Sequence, residues 1–189
     1  MTRTLEQIML AAAESKARVL GFLSPDRGAG VSTLCRLLAG GFVGAGIRTL
    51  LVDLTQEAVE ENDRRPVWLP HLTPTSLIEA DPAGYDVIQA PPTWQSRALF
   101  NNIDTLRRMF DQDLREFETI IVDLSSVLDR RENIINPVSV ARACDAVIMV
   151  CVTGRTTQDQ IKQTLTELDS AGVQLSATIL NDVEAVVGQ

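Results

Sequence analysis

The chain has 189 residues, of which 45% are hydrophobic, and a formal net charge of −8. That size and apolar content suit one globular domain with a full core, and the acidic balance excludes a general nucleic-acid or anionic-membrane binder. No stretch approaches the roughly 18 consecutive apolar residues of a membrane span, and the start lacks the apolar run of a secretion signal, so a cytoplasmic protein without direct membrane insertion is expected.

Leu5, Ile8, Met9 and Ala12 fall at i, i+3, i+4 and i+7, which predicts a helix over 4–16. Thr4 reads as its cap, with Gln7 completing a capping box. A buried strand is predicted at 18–24, a glycine-bearing turn at 25–33, and a helix over 32–45 ending at Gly44 and Gly46. Thr49-Leu50-Leu51-Val52-Asp53 reads as a second strand ending in an acid. The polar stretch 55–83 is expected to hold short helical turns at most, Thr75–Glu79 among them, with His71 in a surface loop.

Asp86-Val87-Ile88-Gln89 is a short strand stopped by Pro91-Pro92. Ile103, Leu106, Phe110 and Leu114 mark an amphipathic helix over 96–115. Thr119–Asp123, Ala146–Val152 and Leu175–Leu180 are three further strands, with a helix at 156–171 stopped by Gly172. Cys35, Cys144 and Cys151 fit no metal spacing and read as reduced core thiols. The pairs Arg64-Arg65, Arg107-Arg108 and Arg130-Arg131 read as solvated surface.

Apolar strands alternating with amphipathic helices predict a single α/β domain over 1–189, a mostly parallel sheet flanked by helices on both faces. In such sheets ligands sit beyond the C-terminal strand ends. The turn at 25–33, Asp53 and Asp123 all fall there. Pro25-Asp26-Arg27-Gly28-Ala29-Gly30-Val31-Ser32-Thr33, between a strand and a helix, has the context of a phosphate-binding P-loop. In G-x-x-x-x-G-K-[ST] backbone N–H groups cradle phosphates, the lysine neutralises them and the hydroxyl holds Mg²⁺. Here Gly30 and Ser32 stand in register, Pro25 replaces the first glycine and Val31 replaces the lysine. Two acids at strand mouths beside such a turn suit Mg²⁺ binding through water, or orientation of a nucleophile.

The chain resembles the MinD/ParA-type deviant P-loop ATPases, and within them the cytoplasmic domain of bacterial tyrosine kinases (BY-kinases). The family loop S-x-x-x-G-E-G-K-S-T appears as Ser24 to Thr33, L-L-I-D-x-D as Leu50 to Thr55, and I-I-I-D-T-P-P as Ile120 to Ser126. Asp145 to Val150 resembles D-x-V-L-L-V, Thr156-Thr157 opens the following helix, and Ile179-Leu180-Asn181 resembles V-L-N. The match runs in order from residue 4 to about 183.

The resemblance implies a P-loop NTPase fold with a degenerate Walker A loop. It puts nucleotide binding on Arg27, Gly28, Ala29, Gly30, Val31, Ser32, Thr33 and Asn181, the last reading adenine. Where Mg-nucleotide binds, the metal falls to Ser32, Asp53 and Asp123, and the two acids are vestigial as catalytic groups. An aliphatic Val31 supplies no cation, and losing one charge-assisted phosphate contact removes about 1.5–3 kcal/mol. Arg27 is a candidate substitute, offset by Asp26 beside it. Thr55 replaces the second acid of the Asp-x-Asp pair, and Ser125-Ser126 replace two prolines.

A BY-kinase phosphorylates its own tyrosine-rich tail; this sequence ends at Gly188-Gln189 and its one tyrosine is Tyr85, so no autokinase activity on such a tail is expected. The family ring motif E-x-x-R-x-x-R appears as Glu6-x-x-Met9-x-x-Ala12 without its arginines, which leaves homo-oligomerisation open.

The reading is a catalytically impaired pseudokinase or pseudo-ATPase acting through protein–protein contacts in capsule or exopolysaccharide synthesis or export. ATP or ADP with Mg²⁺ is absent or weakly bound. The implied partner is a membrane-embedded polysaccharide copolymerase or related protein, which would hold the chain at the inner face of the membrane. The alternative is an active ATPase or kinase using Arg27 for phosphate, Ser32 for Mg²⁺ and Asp53 and Asp123 as acids. A third reading, a ParA-like positioning protein, requires nucleotide-dependent dimers.

Overall fold

Side chains along a strand alternate between faces, so a strand apolar throughout needs cover on both. Such strands build the centre of this protein. A computed structural model describes residues 2–55, 78–89, 100–130 and 135–182, with side chains from residue 5. Strands β1 (Val19–Leu23), β2 (Thr49–Asp53) and β5 (Thr119–Asp123) are buried along their whole length. With β3 (Glu79–Ala80), β4 (Asp86–Gln89), β6 (Ala146–Val152) and β7 (Ala177–Asn181) they form one seven-stranded sheet, in the order β3-β4-β2-β5-β1-β6-β7. Every pairing is parallel except β3 with β4. The expected α/β architecture is the observed one.

Alternation divides the core. Leu20 and Phe22 of β1, with Ile121 of β5, face helices α1 (Thr2–Ser15) and α2 (Val31–Gly44). Val19, Leu23, Ile120 and Val122 face the other way, toward α3 (Ile103–Arg108), α4 (Pro137–Ala141) and α5 (Gln158–Ser170). Ala12 is buried and Leu5, Ile8 and Met9 are partly so, the face expected of the first helix. That helix starts at Thr2, so Thr4 lies inside it rather than capping it; nothing in 2–4 breaks a helix. After α2, Gly46 takes φ 81° and the Ile47 N–H reaches the Phe42 carbonyl at 3.0 Å, a Schellman stop.

Within the described part of the helix expected over 96–115, Phe100 is helical, the helix breaks at 101–102 and a new one follows. It begins at Ile103, where the Asn102 side chain accepts the Thr105 N–H at 3.0 Å. It then widens into a π-turn over Met109–Asp113 that brings Phe110 and Leu114 inward. Residues 96–99 lie outside the described residues, as do Arg64, Arg65, His71, most of Thr75–Glu79, Pro91, Pro92 and Arg131. Glu79 itself is in strand β3 rather than a helix, joined to β4 by an Asp-Pro-Ala-Gly turn whose Gly84 N–H bonds the Asp81 carbonyl at 2.8 Å. Arg107, Arg108 and Arg130 are exposed, as expected. The three cysteines are free; Cys35 and Cys151 are buried and Cys144 is half-buried.

Arg18 ties the sheet to the π-turn. Its guanidinium donates to the carbonyls of Phe110, Leu114 (3.2 Å) and Phe117 (3.1 Å). The Asp145 carboxylate meanwhile accepts the N–H groups of Arg18 and Val19 at 2.9 and 2.8 Å. Arg18→Ala strands those helix-end carbonyls and is expected to cost about 2–3 kcal/mol in urea unfolding. A loss below about 0.5 kcal/mol would show that water replaces the guanidinium.

Candidate phosphate site

Strand β1 ends at Leu23, and its ladder with the β5 side continues past both strand ends. The Leu124 N–H bonds the Phe22 carbonyl (2.9 Å), Val127 the Ser24 carbonyl (2.9 Å) and Leu128 the Pro25 carbonyl (3.0 Å). The Ser24 hydroxyl donates to the Asp26 carbonyl at 2.7 Å, turning the chain. Gly28 and Gly30 then take φ 74° and 83°, a left-handed geometry that disfavours any side chain. Gly30 is doubly required, since a Cβ there would lie 2.6 Å from the Asn181 amide nitrogen.

Gly30 is the N-cap of α2. The N–H groups of residues 28–33 meet no acceptor among the described residues and remain free for an anion. They border a cavity of about 410 Å³, lined also by Arg27, Thr55, Asp123, Ser125 and Ser126. Sequence-selected Arg27, Gly28, Ala29, Gly30, Val31, Ser32, Thr33 and Asp123 thus come together on one space.

Asp53 stands beside Asp123 in register on the adjacent strand but is not part of the lining. Thr55, at the position of the missing second acid, spends itself on Asp53: its N–H (3.0 Å) and hydroxyl (2.7 Å) both donate to one carboxylate oxygen. Asn181, at the end of β7, donates to the Ala29 carbonyl at 2.8 Å and so braces the loop from behind. Val31, only 7% exposed, belongs to the apolar cluster that includes Leu34, Cys35 and Val152.

Arg27 forms an ion pair with Asp129 at 3.9 Å. A cation the sequence reading passed over, Arg155, donates to the Arg27 carbonyl at 2.8 Å. Its only sequence signal was a basic residue after Gly154, between a strand and a helix.

Two buried polar atoms border the cavity without a partner, the Ser126 hydroxyl and one Asp123 carboxylate oxygen. The free N–H groups and these atoms fit a phosphate group with a hard cation beside it. Ser32 and Asp123 would hold that cation, with Asp53 behind them; among the described residues no set of three or more His, Cys, Asp or Glu forms a metal cage of its own.

Burial pushes the Asp123 carboxyl up to about 7; a hydrogen bond from Ser32 opposes this, the Asp53 charge adds to it and Arg36 weakly counters it. Between the ordinary value of 3.8 and about 7 the folded protein keeps a proton that the unfolded chain has released, so stability falls as pH rises through that window. A shift of this size corresponds to roughly 4 kcal/mol. Asp123→Asn removes the titration. Urea unfolding of the variant should show it more stable than the parent at pH 8, with the gap narrowing steadily toward pH 4. A gap independent of pH would contradict the raised carboxyl.

Solved structures share this architecture. The kinase domain of the Escherichia coli tyrosine kinase ETK matches with a TM-score of 0.73 at 18% identity, over 93% of this chain and 71% of that one. The BceF tyrosine kinase domain matches with a TM-score of 0.71 at 22% identity, over 95% and 74%. Cobyrinic acid a,c-diamide synthase from Mycobacterium smegmatis, with bound ADP and magnesium, matches with a TM-score of 0.65 at 17% identity, over 86% and 71%. The fold is therefore that of the tyrosine-kinase domains and the ParA-like P-loop ATPases, as the sequence resemblance implied. No family model matches the sequence, and no curated protein does.

Proposed function

We propose that this protein is a catalytically impaired relative of the tyrosine-kinase domains, holding a nucleotide polyphosphate weakly and acting through protein–protein contacts. The observation that carries the reading is Val31. At the position of the phosphate-neutralising lysine stands a side chain 7% exposed and committed to the apolar core. Phosphoryl transfer is catalysed almost wholly by positioning and by charge stabilisation. A cradle of free N–H groups supplies the first; without a lysine the loop itself supplies little of the second.

The acids fit the same account. Thr55 occupies Asp53 and adds no carboxylate. Asp123, raised to about 7, must give up its proton to hold a metal ion, so any metal binding there releases a proton and weakens as pH falls. When bound, Mg²⁺ would neutralise phosphate charge. Ser32 and Asp123 would orient it, and Gly28 to Thr33 would seat the phosphates on their N–H groups. On the resemblance to BY-kinase domains, the proposed setting is exopolysaccharide synthesis or export, with a membrane-embedded copolymerase or a related component as the proposed partner. Among the described residues no helix is long and apolar enough to cross a membrane.

One observation favours the second reading, an active ATPase or kinase with a rearranged site. A carboxyl near 7 lining the cavity is suited to general-base work. Titration calorimetry with Mg-ATP and Mg-ADP, paired with a phosphate-release assay, separates the two. Weak binding without turnover is expected, and Val31→Lys should tighten binding by about tenfold or more, one charge-assisted contact. Turnover in the parent chain that disappears in Asp123→Ala, or micromolar binding without the lysine, would overturn the impaired reading.

A further inference from the structure

We propose that Arg155 supplies, from outside the loop, the positive charge toward a bound polyphosphate that Val31 does not. The inference rests on the reading of this loop as an anion site and names the cation that serves it. That site has more than a helix N-terminus. The Ser126 hydroxyl and one carboxylate oxygen of Asp123, both on buried residues, border the same cavity without a partner.

Arg155 is placed by its backbone. Gly154 takes φ 74°, and the N–H groups of Arg155 and Thr156 both return to the Val152 carbonyl, at 3.2 and 3.0 Å. The Thr156 hydroxyl accepts the Val152 N–H at 2.8 Å and closes the turn. The guanidinium is thereby laid against the loop. Nη2 donates to the Arg27 carbonyl at 2.8 Å, and Nη2, Nη1 and Cζ lie 3.4, 3.6 and 3.9 Å from where a Cβ on Gly28 would stand.

A Cβ at residue 28 would stand in ordinary van der Waals contact with the guanidinium, which places the cation directly against the turn; the glycine itself is required by its φ of 74°. No carboxylate pairs with Arg155 among the described residues. Arg27, the candidate from sequence, instead directs its charge to Asp129, whose side chain is 5% exposed. Arg27 lines the cavity and Arg155 stands outside that lining, but of the two it is Arg155 that pairs with no carboxylate among the described residues and has donors left over. A guanidinium is also suited to bidentate phosphate contact.

The test uses inorganic tripolyphosphate without metal, titrated at low ionic strength into the full chain and its Arg155→Gln, Arg155→Lys and Arg27→Gln variants. Ligand-free melting temperatures confirm that each folds. Arg155→Gln is expected to weaken binding by about tenfold and to flatten its salt dependence, because one charge-assisted contact is gone. Arg155→Lys should lose much less than Arg155→Gln, and Arg27→Gln should change little. Equal losses in the Gln and Lys variants with unaltered salt dependence would make Arg155 a structural clamp and overturn the inference. Parent binding that Arg155→Gln leaves unchanged overturns it alone. No binding by the parent up to millimolar concentration, with binding gained in Val31→Lys, overturns the anion reading of the native loop and this inference with it.

Discussion

The hydrogen bonds that continue the β1–β5 ladder beyond the strand ends hold the whole functional end of this molecule. A parallel ladder normally stops where its strands stop, and the chains then diverge. Here Val127 and Leu128 follow Ser24 and Pro25 into the turn, at 2.9 and 3.0 Å. The chain is thereby held on the sheet side up to Pro25, and the N–H groups at the start of α2, which have no intrahelical acceptor, border the cavity. The same contacts put Ser125 and Ser126 on the wall of the cavity and fix Asp123 beneath the start of α2.

The electrostatics of that end are divided. Free N–H groups and the α2 dipole favour negative charge, while Asp123 and Asp53, neighbours in register, oppose it. A loop lysine would ordinarily settle the balance for the anion. With Val31 turned to the core, the balance rests on the protonation of Asp123 and on cations brought from elsewhere in the chain. The buried carboxyl retains a proton near neutrality chiefly because burial penalises its charged form, and the Asp53 charge adds to this.

Much of this was legible in the sequence because strand and turn chemistry are local. Thr49–Asp53 and Thr119–Asp123 were read with the bounds observed, since an apolar run closed by an acid specifies its own ends. The glycine turn, the loss at Val31 and the gathering of Ser32 with Asp123 followed from motif and strand order. The break before α3 and the π-turn after it did not, because the apolar spacing of Ile103 to Leu114 persists through a π-turn that periodicity alone cannot separate from a helix. Strand β3 was hidden in a polar stretch, although Asp81-Pro82-Ala83-Gly84 announces its turn. Arg155 was out of reach: its position depends on Gly154 bending the chain back over a loop far away in sequence. The Thr55–Asp53 bonds likewise turn an apparent loss of an acid into a use for its replacement.

Asn181 has one consequence of a different kind. It sits at the end of β7, an edge strand whose residues are exposed or only half-buried, and its amide holds the Ala29 carbonyl at 2.8 Å. Edge strands fray more readily than central ones, having one neighbour and little apolar cover. The innermost turn of the loop is thus braced by the outermost strand of the sheet. Whenever that margin opens, the brace is released while the central strands stay closed, so the loop's shape inherits the restlessness of the periphery.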